Sequence, residues 1–350
     1  MKGWFAVLKR VYICHTYYHV YVSLLKELNN RHVRNGKADI VLSTVSTDFK
    51  NLKDRLEKSQ VFNKVLVLNE KNDIELFGDE LKNYRSGNLL VKLFNNIKYT
   101  RELATRLSVF IDIDFSKYNE IFVYVDGDPI GHYLNYKKIK YCAVEDGLDS
   151  LKYADYLFKQ KFFGLKKVLA RLGIIFMPYG FSKYAVTVEV NDKKSVYTPK
   201  RKTIELPRKM LADGLDDREK RLIYEIFMSE YSINNNMAIN KKTALLVVQP
   251  LYPEVLGDIE QQLQLYKDLI DEYCKEFIVY IKPHPRDKLN YIQYFKKCII
   301  LERYFPIEVL NFSNLLHFDR AITVYSTAID AIDFVDEKIT VGKDFLEKYK

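Results

Sequence analysis

Cysteine is scarce in this chain. The four present, Cys14, Cys142, Cys274 and Cys298, stand far apart in 350 residues with no Cys-x-x-Cys pair. That spacing builds neither a zinc site nor a disulfide framework. Cys14 and Cys142 fall in strand-like runs, where a thiol acts as a small apolar filler. Long apolar runs are missing too: none approaches the roughly 18 residues that span a bilayer. The first residues lack the small-residue cleavage site of a secretory signal, so a cytoplasmic protein is expected. There is no internal repeat and no low-complexity tract, which excludes solenoids and long biased linkers.

What is present is the composition of an ordinary globular protein, 48% hydrophobic and 29% charged. A chain of 350 residues exceeds what one core usually fills, so two domains are expected. Lys plus Arg outnumber Asp plus Glu by 55 to 46, which favours anionic partners such as nucleotides, acidic glycans or anionic lipid surfaces. Nucleic acid is not expected among them. The 27 tyrosines and 21 phenylalanines suit sugar or base stacking, but most must form core.

The stretch 277–287, Phe-Ile-Val-Tyr-Ile-Lys-Pro-His-Pro-Arg-Asp, reads as a buried strand delivering a basic turn. Five β-branched or aromatic residues in a row, after a helical pattern at 259–273, suit a parallel strand covered on both faces. Pro283 and Pro285 end the ladder and fix the backbone on either side of His284. Ligands of open α/β sheets bind outside the carboxyl ends of the strands. Lys282, His284 and Arg286 therefore stand where an anion is expected, unless the turn is simply a solvated basic one.

Before this stretch, strand-like runs at 4–13, 38–43, 62–68, 120–125 and 140–144 alternate with helical patterns at 17–34, 48–58 and 89–110. Such alternation predicts a parallel sheet with helices on both faces. Over 157–172 the pattern predicts a basic amphipathic helix, with Lys159, Lys161, Lys166, Lys167 and Arg171 among Phe158, Phe162, Phe163, Leu165, Val168 and Leu169. It suits an anionic membrane surface, an acidic glycan, or packing on its own domain. From 188 to 242 the composition turns polar and charged, with a helix expected at 216–230 and an Asn-rich turn at 234–236. A second alternation follows, with strands at 243–248, 277–281, 299–301 and 320–325 and helices at 259–273 and 291–297. The predicted organisation is a first Rossmann-like domain at 1–187, a charged crossing at 188–242 and a second Rossmann-like domain at 243–350.

Three polar segments close apolar strands at comparable places. In Glu145-Asp146-Gly147 two adjacent carboxylates repel, which raises one pKa towards the working range of a general base. Gly147 allows a tight turn and close approach of a substrate. The alternative is an exposed acidic turn. Lys282-Pro283-His284-Pro285 closes the second strand. Ser326-Thr327 closes the third and opens an apparent helix at 327–334, where hydroxyls and N–H groups suit a phosphate or serve as an N-cap.

In order and spacing, these segments resemble the bacterial sialyltransferases of the glycosyltransferase-B type, above all glycosyltransferase family 52, which makes lipooligosaccharide and capsule sialosides. That group shares an acidic-acidic-Gly motif, matched by Glu145-Asp146-Gly147, a His-Pro motif, matched by His284-Pro285, and a Ser/Thr pair, matched by Ser326-Thr327. The resemblance implies an α/β fold of two Rossmann-like domains facing a cleft, the first on the acceptor side and the second binding the nucleotide sugar. It implies Glu145 or Asp146 as general base, with Glu145 preferred. His284, Ser326 and Thr327 are then the residues on the CMP phosphate, and Lys282, Pro285 and Gly147 complete the donor site. The implied reaction is inverting transfer of sialic acid from CMP-sialic acid to a galactose-type hydroxyl, with no metal or other cofactor. A lipid-linked glycan acceptor, a peripheral place on the inner face of the membrane and a homodimer belong to the same expectation.

The chain departs from that pattern in two places. Its opening loop is His15-Thr16-Tyr17-Tyr18-His19 rather than a small-residue turn with Pro, and the closing helices after Thr340 are reduced to 343–350. A rival motif, Asp126-Gly127-Asp128, looks like the Asp-x-Asp that holds a divalent metal on a nucleotide diphosphate. Two other readings stand beside the sialyltransferase. One is a teichoic-acid-type transferase using a CDP donor, which also has a Lys-Pro-His-Pro-like turn. The other is a non-catalytic binder of anionic polymer through the basic helix.

Overall fold

The computed structural model describes residues 8–31, 36–85, 88–147, 162–229, 241–287, 289–313 and 316–350. The chain divides into two compact units, 1–216 and 217–350.

The first unit is built on seven strands: Arg10–Cys14 (β1), Asp39–Ser43 (β2), Val65–Leu68 (β3), Glu120–Val123 (β4), Tyr141–Val144 (β5), Ala185–Val190 (β6) and Thr203–Glu205 (β7). They lie in the order β3-β2-β1-β4-β5-β6-β7, and every pair is parallel. The order in which strands are added reverses between β1 and β4. That switch point is where doubly wound sheets open a crevice at their carboxyl edge. β1, β2 and β5 are buried at every position, as apolar runs covered on both faces should be.

The helix Tyr17–Asn30 is buried along almost its whole length, although it carries Lys26 and Glu27. Both charges are paired. Glu27 accepts from Arg10 at 3.0 Å and from the Ala38 N–H at 2.9 Å. Lys26 donates to Glu189 of β6 and lies 3.7 Å from the centre of the Phe122 ring. Removing either partner would strand a buried charge, which costs about 3–5 kcal/mol.

The second unit has five parallel strands, Thr243–Val247 (β8), Ile278–Lys282 (β9), Ile299–Ile300 (β10), Phe318–Thr323 (β11) and Val335–Thr340 (β12), in the order β10-β9-β8-β11-β12. The helix Ile259–Tyr273 connects β8 to β9 behind a capping box of Asp258 and Gln261. Its Leu263, Tyr266 and Leu269 join the core with Leu246, Ile281 and Ile322 of three adjacent strands.

Both sheets follow the expected plan, with three differences. β6 and β7 extend the first sheet through residues 188–205, which the sequence assigned to the crossing. Ala185, Val188 and Val190 face inward there while Glu189 is held by Lys26, so the charge that suggested a linker belongs to a strand. The apparent helix at 327–334 is a short 3-10 turn, Thr327–Ala331, followed by β12. β12 is charged at Asp336, Glu337 and Lys338, as suits an edge strand that must not pair further. Of the expected basic helix, Phe163–Leu172 is observed, while 157–161 lie outside the described residues, as does the turn at 234–236. Among the described residues no helix is long and apolar enough to cross a membrane.

Candidate active site

In the first unit the polar residues gather at the carboxyl ends of β1 to β6. β1 runs into His15 and Thr16, and Thr16 caps the next helix by accepting the His19 N–H at 3.3 Å. This places His19 in the first turn, where Nδ1 accepts the backbone N–H of His15 at 3.0 Å. Its ring stacks on Tyr124 at 4.5 Å and 8°. With Nδ1 used as an acceptor, the proton of the neutral ring sits on Nε2, and that N–H donates to Asp146. Burial pushes the His19 pKa down, against the charge and hydrogen bond of Asp146, while His15 and Arg208 push it down further. The ring is therefore a neutral donor at physiological pH.

The two acidic residues that end β5 face different surroundings. Glu145 is buried, and its carboxylate accepts the Asn191 N–H at 2.5 Å beyond β6. Burial raises its pKa, opposed by the Asn191 N–H and the charge of Arg208. Asp146 keeps 22% of its side chain exposed beside His19. Gly147 follows at φ +50, and among the described residues a Cβ there would meet nothing within 4 Å.

Behind His19 lies a buried network that the motifs did not reveal. His15 donates through Nε2 to Glu70 at 3.2 Å, and Glu70 also accepts from the Ser43 hydroxyl and the Ile130 N–H, both at 2.6 Å. Burial alone would lower the His15 pKa. The Glu70 hydrogen bond and the charges of Glu70, Asp128 and Asp146 outweigh it, so the net shift is upward. Arg208, also buried, donates its backbone N–H to the Asn191 side chain at 2.8 Å and a guanidinium N–H to Leu206 O at 3.0 Å. The readable signal for the histidines was their spacing of four at the start of the first helix, which brings both rings to the strand end.

The rival Asp126-Gly127-Asp128 is divided by the fold. Asp126 is buried and accepts from the Tyr179 N–H at 2.5 Å, the Gly180 N–H at 3.0 Å and the Tyr141 hydroxyl at 3.0 Å. It staples the loop before β6 to the end of β4. Asp128 stands apart, 3.7 Å from His15. Among the described residues no group of three or more His, Cys, Asp or Glu is arranged to hold a metal ion.

In the second unit β9 and β11 flank β8, so His284 and Ser326 come to the same carboxyl edge, with Gln249 of β8's end between them. Gln249 accepts the Tyr325 N–H at 3.1 Å and ties the β8 and β11 ends together. His284 Nδ1 accepts the Arg286 N–H at 3.1 Å, which leaves Nε2 as the donor of the neutral ring. Buried Asp287 braces the same turn by accepting from the Tyr291 hydroxyl at 2.6 Å and the Leu289 N–H at 2.9 Å. Ser326 accepts the Ala328 N–H at 3.3 Å as an N-cap, and Thr327 is exposed. Lys282 is turned inward: Nζ donates to Pro283 O at 3.0 Å and Arg303 O at 3.3 Å and lies 4.4 Å from the centre of the Phe305 ring. Burial pulls its pKa down to about 7, against the charges of Glu302 and Glu308. Of the residues expected on the donor, His284, Ser326 and Thr327 offer polar groups at the edge, Pro285 is exposed beside them, and Lys282 braces the turn from within. Gly147 lies in the first unit.

Three kinds of comparison extend this description. In solved structures, the chain is similar to an α/β-galactoside α-2,3-sialyltransferase of Photobacterium phosphoreum, at TM-score 0.55 and 12% identity, with 95% of this chain and 90% of that one covered. It is also similar to a 2,6-sialyltransferase of Photobacterium sp. JT-ISH-224 in complex with CMP and lactose, at TM-score 0.60 and 11% identity over 96% of this chain and 71% of that one. These likenesses show the glycosyltransferase-B fold. An uncharacterised protein of Haemophilus influenzae is 26% identical over 252 residues, 69% of this chain and 77% of that protein. The family model of glycosyltransferase family 52 matches residues 60–343. That span carries all three motifs on the strand ends described above, and the chain belongs to glycosyltransferase family 52.

Proposed function

We propose that this glycosyltransferase moves sialic acid from CMP-sialic acid to a galactose-type hydroxyl of a bacterial surface glycan, with inversion and without a metal. The observation that carries the reading is the pair of strand-edge sites. One presents a carboxylate held by a neutral histidine, and the other a histidine donor beside a Ser/Thr turn. The similar Photobacterium enzyme bound to CMP and lactose supports the assignment of donor and acceptor classes.

In the reaction, the acceptor hydroxyl gives its proton to the carboxylate as its oxygen bonds to C2 of the sugar. The bond from C2 to the phosphate oxygen breaks, and its electron pair leaves with CMP. His284 Nε2–H and the Ser326-Thr327 hydroxyls meet the charge that grows on the phosphate. A CMP donor has one phosphate, and the engagement of Asp126 with Tyr141, Tyr179 and Gly180 speaks against the metal motif. Between the two acidic residues the surroundings favour Asp146 over Glu145, the one preferred from sequence. Asp146 is partly exposed and oriented by His19, whereas Glu145 is buried against Asn191. The proposal extends to an anionic lipid surface bearing the acceptor. Leu165, Val168 and Leu172 form an exposed stripe on the helix Phe163–Leu172, with Lys166 and Arg171 on the same helix.

The test is ligand-dependent melting followed by turnover. A ligand at a hundredfold excess over its Kd stabilises the folded chain by about 2.7 kcal/mol, so CMP should raise the melting temperature with no metal added. Stabilisation by UDP with Mn²⁺ but not by CMP would return the metal motif, and CMP release from CDP-glycerol alone would favour the teichoic-acid-type reaction. In turnover, Asp146→Asn should cost roughly 10²-fold or more, the usual worth of a general base, and Glu145→Gln should cost less. The reverse order restores Glu145.

A further inference from the structure

The Asp146 carboxylate is held by a side chain outside the acidic motif. His19 has no exposed surface and is fixed from several directions. Its Nδ1 takes the His15 N–H at 3.0 Å. One face lies on Tyr124, whose hydroxyl is within 2.9 Å of Ser23 Oγ. The His15 ring meets it edge to face at 6.0 Å. A backbone N–H cannot change its role, so Nδ1 remains an acceptor and the proton of the neutral ring must stay on Nε2, pointed at Asp146.

We infer that His19 is a positioning residue for this reaction, a neutral imidazole whose Nε2–H sets the orientation of the Asp146 carboxylate that receives the acceptor proton. The inference rests on the reading of Asp146 as base. A neutral donor suits the task better than a cation. It fixes the plane of the carboxylate while leaving the negative charge that makes it basic, whereas an ammonium or guanidinium in its place would stabilise the anion and weaken it as a base. Burial and the nearby charge of Arg208 keep the ring in that neutral form. The orientation matters because a reacting group displaced by about 1 Å can lose on the order of 10²-fold in rate.

The same ring also accepts the His15 N–H, so it could serve only to cap the strand end. Two amide substitutions separate the roles. In His19→Gln the side-chain NH₂ stands near the former Nε2 and can still donate to Asp146. In His19→Asn the amide oxygen stands near the former Nδ1 and can still accept from His15, but position 19 no longer donates to Asp146. His19→Ala removes both. If His19 positions the base, Asn and Ala should lower kcat by about 10²-fold, Gln should restore it to within about tenfold of the parent, and the acceptor KM should move by less than about threefold in all three. If Asn preserves the rate and Gln does not, His19 is a strand-end cap and the inference is overturned. It is equally overturned if acceptor KM rises while kcat holds, or if far-UV circular dichroism shows that all three variants fail to fold. Asp146→Asn is assayed beside them. An active Asp146→Asn removes the reading of Asp146 as base, and the inference with it. An inactive Asp146→Asn together with full rates in every position-19 variant removes the inference alone.

Discussion

Lys282 shows how a residue can sit at the predicted place and do different work. A lysine at the end of an apolar strand reads as an exposed cation, but Arg303 and Phe305, some twenty residues later in the chain, close over it. Its pKa of about 7 makes a pH prediction with a definite sign. Below about 7 both folded and unfolded chains hold the proton, and the residue adds no slope. Between about 7 and its ordinary 10.5 the unfolded chain binds more protons, so stability should rise with pH across that window. Urea midpoints of the parent, measured from about pH 6 to about pH 10, should show a rise that is missing in Lys282→Met. Parallel curves would mean that the ammonium is solvated. The acidic pair carries the same lesson. Adjacency in sequence indicated that Glu145 and Asp146 differ, but which one is buried depends on Asn191 and His19, and neither is near them in the chain.

At the scale of the element, the helices and central strands were legible because their apolar periodicity is strong. The edges were not. β7 and β12 are exposed and charged, since an edge strand is protected by the residues that make it look like a loop. The helix Phe163–Leu172 was legible as amphipathic, but the engagement of its lysines was not. Lys167 lies over the rings of Phe163, Phe181 and Tyr197 at 5.3 to 5.8 Å and belongs to the fold. Lys166 is partly buried as well, and burial lowers its pKa. Exposed Arg171 is the better membrane candidate. Each basic residue near an anionic surface contributes about 1 kcal/mol, so Arg171→Ser should weaken binding to phosphatidylglycerol vesicles by roughly fivefold. Val168→Asp should weaken it further by charging the apolar stripe. Activity on a short soluble acceptor should persist. Vesicle binding equal to the parent in both variants would leave the helix as a packing element alone.

For the whole molecule, two runs of alternating strands and helices announced two parallel sheets, and the strand ends announced where chemistry should collect. The proposed roles then predict a crossed pattern. His284→Ala should weaken CMP binding and lower turnover, because a phosphate contact that tightens as the leaving group departs acts mainly in the transition state. Asp146→Asn, in the other unit, should leave the calorimetric Kd for CMP unchanged while stopping transfer. Equal loss of CMP affinity in both variants would contradict this division of labour. Glu70, placed after β3, receives donors from three other segments: His15 after β1, Ser43 at the end of β2, and Ile130 in the helix after β4. Four loops that could each be traded freely in a simpler protein are thereby joined through one buried carboxylate. A chimera whose imported segment lacks the His15 or Ser43 side chain leaves that carboxylate short of a donor, in surroundings where an unmet charge is costly. Recombination libraries built on this scaffold should therefore give active members mainly when the imported segments keep those two donors.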